Sequence, residues 1–234
     1  MVPSTPTDNA GSVHAGTIQI PDVIPIFPLP RTVLLPGEVL PLHIFEPRYR
    51  ELVRDALAGH RVFGIVTLDT EGGPAVAVPS VTPIGCVGFI AQHQELPDGR
   101  YLLWLVGLER FHIDSELEVP TQYRQARVTY QPDDEPAPEL AGLSPLRQEL
   151  RALLPRLVDI DDEVRGQLEE QMQEVSDLQL VALGAQILEL GPGRKQALLE
   201  APDQVSRFLM LYEDLYTHLE INPELGEVDP GQLN

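Results

Sequence analysis

The chain has 234 residues, of which 43% are hydrophobic and 22% are charged, so it can form one large globular domain or two small ones. Its net charge is −20, with 36 acidic against 16 basic residues, and Lys195 is the only lysine. Nucleic acids and anionic membranes are bound mainly through lysine and arginine. The charge balance therefore disfavours both classes of partner.

The N-terminal segment has neither the basic start nor the apolar run of a signal peptide, and we interpret residues 1–18 as a disordered leader. The apolar stretch 23–45 contains five prolines, an arginine and a glutamate, which argue against a membrane helix. Cys86 is the only cysteine, so an intramolecular disulfide is excluded. These features indicate a soluble protein, and we expect it to be cytoplasmic.

Residues 19–130 have the pattern of a β-rich domain. Short runs such as RVFGIVTL and RYLLWLVGLERFHI are rich in β-branched and aromatic residues and are separated by glycine and proline. The sequence PDG before the second run predicts a hairpin turn, in which Gly99 takes a positive φ. The prolines between residues 25 and 41 must lie at edges, bulges or bends. Short, bent strands of this kind favour a closed or half-closed barrel.

One helix is predicted inside this domain, over the sequence EPRYRELVRDALAG. Its apolar residues follow helical spacing, Pro47 suits the first helical position, and Gly59 suits the C-terminal end. Glu46 places a negative charge at the positive end of the helix. The stretch LPLHIFEPRYREL, residues 40–52, is therefore interpreted as the corner between a strand and a helix.

The second half of the chain has a different pattern. Residues 131–143 are acidic and proline-rich and are interpreted as a linker, and residues 144–220 show several amphipathic helical segments that predict a small bundle. Ser144 and Asp177 are the expected N-caps of two of these helices. Residues 221–234 form an acidic tail.

No catalytic or metal-binding pattern emerges from the titratable residues. His43 and Glu46 are three positions apart, which places them on opposite faces if both lie in a strand. His93 and His112 fall on two neighbouring strands, without the close spacing of a metal site. Cys86 sits in the apolar run IGCVGFI and is interpreted as a small core residue. We expect no enzymatic activity, no metal and no cofactor.

Two apolar segments have two open interpretations. Alternation places Leu102, Trp104 and Val106 on one face of a strand, with Tyr101 and its alternate neighbours on the other, and both faces are apolar. The strand is therefore either buried on both sides or presents an exposed patch for a partner. The same two readings apply to the segment TVLLPGEVL.

Several motifs together resemble the N-terminal, substrate-recognising domain of Lon proteases. They are IPIFPLPRTVLLPGEVLPLHIFEPRYRELV, IGCVGFI and WLVGLERFHI, followed by the helical stretch LGAQILELGPGRKQALLEAPDQVSRFLMLYEDL. The resemblance covers about residues 22–218 and implies an α+β fold, with a PUA-like β-pseudobarrel followed by an α-helical bundle. The residues that match family motif positions, and that we assign first to the fold, are Pro28, Leu29, Pro36, Pro41, Phe45, Glu46, Pro47, Arg48, Tyr49, Gly107, Arg110 and Phe111.

The resemblance implies recognition of unfolded or degron-bearing polypeptides. The sequence shows neither a Walker A motif nor a Ser–Lys protease dyad, so we expect a stand-alone, non-catalytic bacterial protein with a role in proteolysis or protein quality control. It would act as an adaptor or regulator, beside a full-length Lon or another protease. The candidate binding residues are Arg31, Leu34, Leu35, Pro36, Tyr101 and Trp104.

Two further expectations concern the mode of peptide binding and an alternative function. Strand addition at an edge of the barrel is one expected mode of peptide binding. The alternative function is a PUA-like module that binds a small molecule, or less readily RNA.

Overall fold

The fold is that of a computed structural model, which describes residues 20–68, 79–132 and 144–221. The strands are β1 (Val23–Leu29), β2 (Val39–Ile44), β3 (Val62–Thr67), β4 (Ile84–Glu95), β5 (Tyr101–Leu117) and β6 (Arg124–Gln131). The helices are α1 (Pro47–Ala58), α2 (Ser144–Leu153), a 3-10 turn (Leu154–Leu157), α3 (Asp162–Glu174), α4 (Asp177–Ile187), α5 (Pro192–Glu200) and α6 (Gln204–Ile221). The expected α+β class is confirmed. The predicted leader, most of the predicted linker and nearly all of the acidic tail lie outside the described residues.

The six strands form one sheet that closes on itself. Their order is β2-β5-β4-β3-β1-β6, and β5 also pairs with β6. Strand β5 makes both pairings because it is 17 residues long: residues 101–106 pair with β2 and residues 110–117 pair with β6. Strands β1, β3, β4, β5 and β6 therefore form a ring, and β2 lies outside it on the first half of β5. The barrel that the proline-bent strands predict is confirmed.

Helix α1 follows β2 and covers one side of the barrel. It begins at Pro47, as predicted, and its buried residues are Tyr49, Leu52, Val53 and Ala56, which repeat at helical spacing. The Tyr49 ring packs on Phe27 of β1, with 4.0 Å between ring centroids. The helix ends before Gly59, as expected. The left-handed conformation after the helix is taken by Arg61, with φ +61°, and not by Gly59. The stretch 40–52 is thus the corner between β2 and α1.

Strands β4 and β5 continue beyond the ring as a hairpin. Within residues 90–95 and 101–106 they pair with each other, and β2 adds a third strand, so this part of the sheet is a three-stranded extension of the barrel. The hairpin turn is the predicted one: Gly99 has φ +77° and its N–H donates to the Leu96 carbonyl at 2.8 Å. One side of the extension packs on the core through Tyr101, Leu103 and Leu105.

Helices α2, α3, α4 and α6 enclose an apolar cluster of their own, which includes Leu150, Leu180 and Phe208. The expected helical bundle is therefore present. The predicted N-cap of α4 is wrong by one residue, because the Ser176 side chain accepts the Gln179 N–H and completes a capping box. The Asp177 carboxylate instead pairs with an arginine of α2. None of the described helices is both long and apolar enough to cross a membrane.

The helical bundle packs directly on the barrel. Ala182 and Ala185 of α4, and Leu198 and Leu199 of α5, belong to an apolar cluster that also contains side chains of β3 and β5, such as Ile65 and Leu105. Several polar contacts also cross this junction. The Lys195 ammonium pairs with the Glu38 carboxylate at 2.6 Å, and the Arg110 guanidinium donates to the carbonyls of Leu199 and Ala201 at 3.2 and 2.6 Å. The bundle therefore contributes to one of the apolar clusters of the barrel strands, while the clusters inside the barrel and inside the bundle are separate.

Candidate functional site

The three histidines considered in the sequence, His43, His93 and His112, do not form a metal centre in the described part of the chain. His43 lies exposed on β2, whereas the Glu46 carboxylate pairs with the Arg48 guanidinium at 2.8 Å. His93 faces the first half of β5 and His112 faces the start of β4, so they sit at opposite ends of the same ladder. Within the three described ranges, no three His, Cys, Asp or Glu side chains come close enough together to hold a metal ion.

The only cysteine and the only lysine of the chain are both enclosed in the fold. Cys86 is completely buried in the barrel, as the sequence indicated. The Lys195 ammonium is committed to the Glu38 carboxylate, with 15% of its side chain exposed. Neither group is placed to attack a substrate at the surface.

The main exposed apolar feature is one side of the three-stranded extension. We call it the β2–β5 face and define it by Val39, Pro41, His43, Leu102 and Trp104, all of which are exposed. Pro41 stands opposite Trp104, and His43 stands opposite Leu102, so the side chains form rows across the two strands. Half of the Trp104 surface and 42% of the Leu102 surface are open to solvent.

A groove of about 490 Å³ runs along this face and continues onto β4. On β4 it is lined by Gln92 and Gln94, which stand opposite Trp104 and Leu102. The exposed ring of Phe45 lies 5.9 Å from the His43 ring and extends the apolar surface beyond the end of β2. The groove therefore combines an apolar floor with amide groups that can donate and accept hydrogen bonds.

The polar end of the face is formed by Arg100, in the hairpin turn. Its guanidinium lies 3.3 Å from His43 Nε2 and donates from Nε to the Asp98 carboxylate at 2.6 Å. Because arginine is always a donor, His43 Nε2 accepts this bond. The backbone N–H of Arg100 lowers the pKa of the Asp98 carboxyl, which keeps it ionised. The defining residues of the β2–β5 face include no carboxylate, although the protein as a whole carries −20.

Most of the candidate binding residues from the sequence are not exposed. Leu34, Leu35 and Pro36 are buried, because the loop before β2 folds inward over the core. The Leu35 carbonyl lies so close to Gly107 that a Cβ there would stand 2.2 Å from it. Tyr101 is also buried, on the core side of the extension. For these four residues the structure decides between the two open interpretations in favour of core packing, which corrects their choice as candidate binding residues.

The other two candidates, Arg31 and Trp104, are exposed. For Trp104 the structure decides between the two readings in favour of an exposed patch. Among the motif residues, Phe111 fills the barrel interior, whereas Phe45 and Pro41 are exposed on or beside the β2–β5 face. A structural role in the fold does not by itself explain why Phe45 and Pro41 lie at the surface.

Sequence reasoning missed Val39, Leu102 and His43 as site residues. A signal for Leu102 was present, because alternation places it on the same side as Trp104. The missing information was which side of β5 faces solvent, since that depends on packing against α1 and the helical bundle.

Comparison with known proteins identifies the family. Residues 23–216 match the family described as the ATP-dependent protease La (LON) substrate-binding domain. The chain belongs to this Lon substrate-binding domain family. The resemblance seen in the sequence motifs is thereby confirmed.

The Lon family relatives are much longer than this chain. Lon protease 2 of Myxococcus xanthus is 28% identical over 211 residues, which cover 90% of this chain and 25% of that protein. Lon protease of Dictyoglomus thermophilum is 30% identical over 149 residues, which cover 60% of this chain and 18% of that protein. The chain thus spans about a quarter or less of the length of these relatives.

Two solved structures share the Lon N-terminal fold. The N-terminal domain of a Mycobacterium avium complex Lon protease superposes with a TM-score of 0.66 at 20% identity, covering 84% of this chain and all of that one. A Lon N-terminal domain protein from Xanthomonas campestris gives a TM-score of 0.56 at 27% identity, covering 83% of this chain and 97% of that one.

Proposed function

We propose that this chain is a non-catalytic recognition module that binds unfolded or degron-bearing polypeptides on the β2–β5 face. The observation that carries the proposal is the row of exposed apolar side chains, centred on Leu102 and Trp104, on a rigid sheet. Contiguous exposed apolar surface in a soluble domain usually marks a partner site. An unfolded chain is the partner that exposes matching apolar side chains.

The apolar area of the face contributes measurably to binding. Covering the exposed half of Trp104 removes on the order of 100 Å² from water, which corresponds to about 2–3 kcal/mol at about 25 cal/mol per Å². Covering the exposed part of Leu102 adds about 1 kcal/mol. A micromolar dissociation constant needs about 8 kcal/mol, and association also costs translational and conformational entropy, so we expect binding through these two side chains alone to be millimolar or weaker.

We further propose that the module works as an adaptor or regulator in proteolysis and protein quality control in the cytoplasm, beside a full-length Lon or another protease. Membership of the Lon substrate-binding domain family supports this role. The net charge of −20 also supports this role, because electrostatic repulsion between copies keeps a complex with an aggregation-prone polypeptide soluble.

A titration tests this function directly. Trp104 is the only tryptophan, so its fluorescence reports contact at the face without an added label. We expect a permanently unfolded polypeptide to shift the emission to shorter wavelength in a saturable way, and a folded control protein to leave it unchanged.

A matched pair of variants locates the binding surface by calorimetry. Leu102→Gln lies on the β2–β5 face, whereas Leu209→Gln lies on α6, where the side chain is similarly exposed at 47%. We expect the first variant to weaken binding about fivefold and the second to have no effect. Equal effects of the two variants, or no saturable binding by the unmodified protein, would contradict the proposal.

A PUA-like small-molecule module is the second candidate. It is favoured by Gln92, Gln94 and His43, whose polar groups converge on a groove of about 490 Å³, a volume typical of ligand sites. In that case small aromatic compounds would shift the Trp104 emission and unfolded polypeptides would not.

A further inference from the structure

Strand β2 is an edge strand, and the direction of its backbone groups follows from its pairing with β5. The Gly107 N–H donates to the Glu38 carbonyl at 2.8 Å, so the backbone carbonyl of Glu38, the residue before β2, points toward β5. Because an antiparallel strand points the backbone N–H and C=O groups of alternate residues toward its partner, those of Leu40 and Leu42 also point toward β5. The backbone groups of Val39, Pro41 and His43 consequently point to the open side.

This open side is not covered by other parts of the described chain. Strand β2 pairs only with β5 in the described sheet, and none of the described hydrogen bonds involves the outward backbone groups of β2. An open edge of this kind is a template for another strand, either from a bound peptide or from a second copy of the protein.

Pro41 occupies the middle of the outward-facing positions. Proline has no N–H, so one of the donors that an added strand would need is missing, and its ring occupies the space beside the backbone. Prolines on edge strands are a common means by which proteins avoid edge-to-edge pairing. Pro41 is also exposed, so core packing does not explain a proline at this position.

We propose that Pro41 closes the open edge of β2 to strand addition, so that a polypeptide on the β2–β5 face is held by its side chains. As far as it concerns bound polypeptides, the inference rests on the proposed function. In this mode of binding the β2–β5 face selects polypeptides by their apolar and aromatic side chains, whatever their backbone conformation. Side-chain binding thereby replaces strand addition as the expected mode.

Backbone N-methylation of a peptide tests this mode on the unmodified protein. The probe is a ten-residue peptide of alternating apolar and polar residues, prepared unmethylated, methylated at its odd residues, and methylated at its even residues. An added strand turns only one of these two sets of N–H groups toward β2. Side-chain binding predicts that both methylated peptides bind with dissociation constants within about twofold of each other. A loss of about tenfold or more for one set alone would overturn the proposal.

The variant Pro41→Thr tests the role of the proline itself. It restores the N–H and introduces a β-branched residue that favours strands. We expect it to self-associate in sedimentation velocity at concentrations where the unmodified protein does not. Pro120→Thr is the matched control, since Pro120 is also exposed but lies in the loop between β5 and β6. Identical sedimentation of the two variants would overturn the proposal.

The two arms separate failure of this inference from failure of the proposed function. If no form of the peptide binds, the proposed function fails. Sedimentation of Pro41→Thr then still decides whether Pro41 prevents strand addition at the edge of β2. If Pro41→Thr does not fold, which circular dichroism would show, the N-methylated peptides still decide the mode of binding on the unmodified protein.

Discussion

Removing the ammonium of Lys195 should strongly destabilise the fold. The Glu38 carboxylate that it contacts is deeply buried, with 4% of its side chain exposed, and lies between the barrel and the helical bundle. In Lys195→Met the methionine retains most of the apolar stem, so the change is mainly one of charge. The carboxylate then keeps two hydrogen bonds, from the Leu35 N–H at 2.9 Å and the Gln186 amide at 3.2 Å.

The expected cost follows from the burial of the remaining charge. Breaking a buried ion pair by removing one partner typically costs about 3–5 kcal/mol. The two remaining hydrogen bonds to Glu38 place Lys195→Met at the lower end, at about 3 kcal/mol. The reverse change, Glu38→Gln, should cost less, about 1–2 kcal/mol, because the flexible lysine stem can carry its charge toward water.

Urea unfolding followed by circular dichroism measures these costs. The double variant, Lys195→Met with Glu38→Gln, should be more stable than Lys195→Met alone, because no buried charge remains unpaired. The exposed pair of Arg127 and Asp22, with a separation of 2.7 Å, is the control, and Asp22→Asn should cost less than about 1 kcal/mol. A cost below about 1 kcal/mol for Lys195→Met would refute the reasoning, as would a double variant no more stable than Lys195→Met.

Three further predictions concern single residues. Asp203 accepts the Ser206 N–H at 2.7 Å at the start of α6, and this hydrogen bond lowers the pKa of its carboxyl. Asp203→Ala should therefore cost about 1 kcal/mol at neutral pH, and in unfolding experiments this cost should become smaller as the pH falls through the lowered pKa of the folded state. Burial, together with the hydrogen bond that Tyr123 donates to Asp55, raises the pKa of Tyr123 to about 12, so its contribution to stability should be lost between about pH 10 and 12. The loss should be smaller in Tyr123→Phe, in which Tyr130 and Tyr216, whose pKa values are also raised, still titrate at high pH. Cys86 should react with a thiol reagent only after unfolding, and fast modification of the native protein would contradict its burial.

Local patterns in the sequence were sufficient to predict the elements of the barrel. The helix that starts at Pro47 and the hairpin turn at Gly99 each depend on residues within a few positions, and both are confirmed. The alternation in β5 likewise separates Leu102 and Trp104 from their buried neighbours. The N-cap of α4 was misplaced because serine and aspartate are adjacent there and both are good caps, so only the geometry distinguishes them.

The long-range contacts could not be predicted in the same way. Glu38 and Lys195 are 157 positions apart, and no local rule links a loop before β2 to a helix of the bundle. The burial of Leu34 and Leu35 depends on that same docking, because the loop is enclosed between β5 and the helices. For this reason the sequence suggested these leucines as binding residues, although the exposed apolar residues lie on the neighbouring strands.

The ion pair between Lys195 and Glu38 also determines how the folded protein responds to amine chemistry. Lys195 is the only lysine side chain, and its amine nitrogen is held in a mostly buried contact. Acylating reagents, amine cross-linkers and enzymes that conjugate modifiers to lysine therefore find no accessible lysine while α5 stays on the barrel. With the function proposed above, the module would thus escape lysine-directed tagging itself. Acylation of Lys195 would report separation of the helical bundle from the barrel.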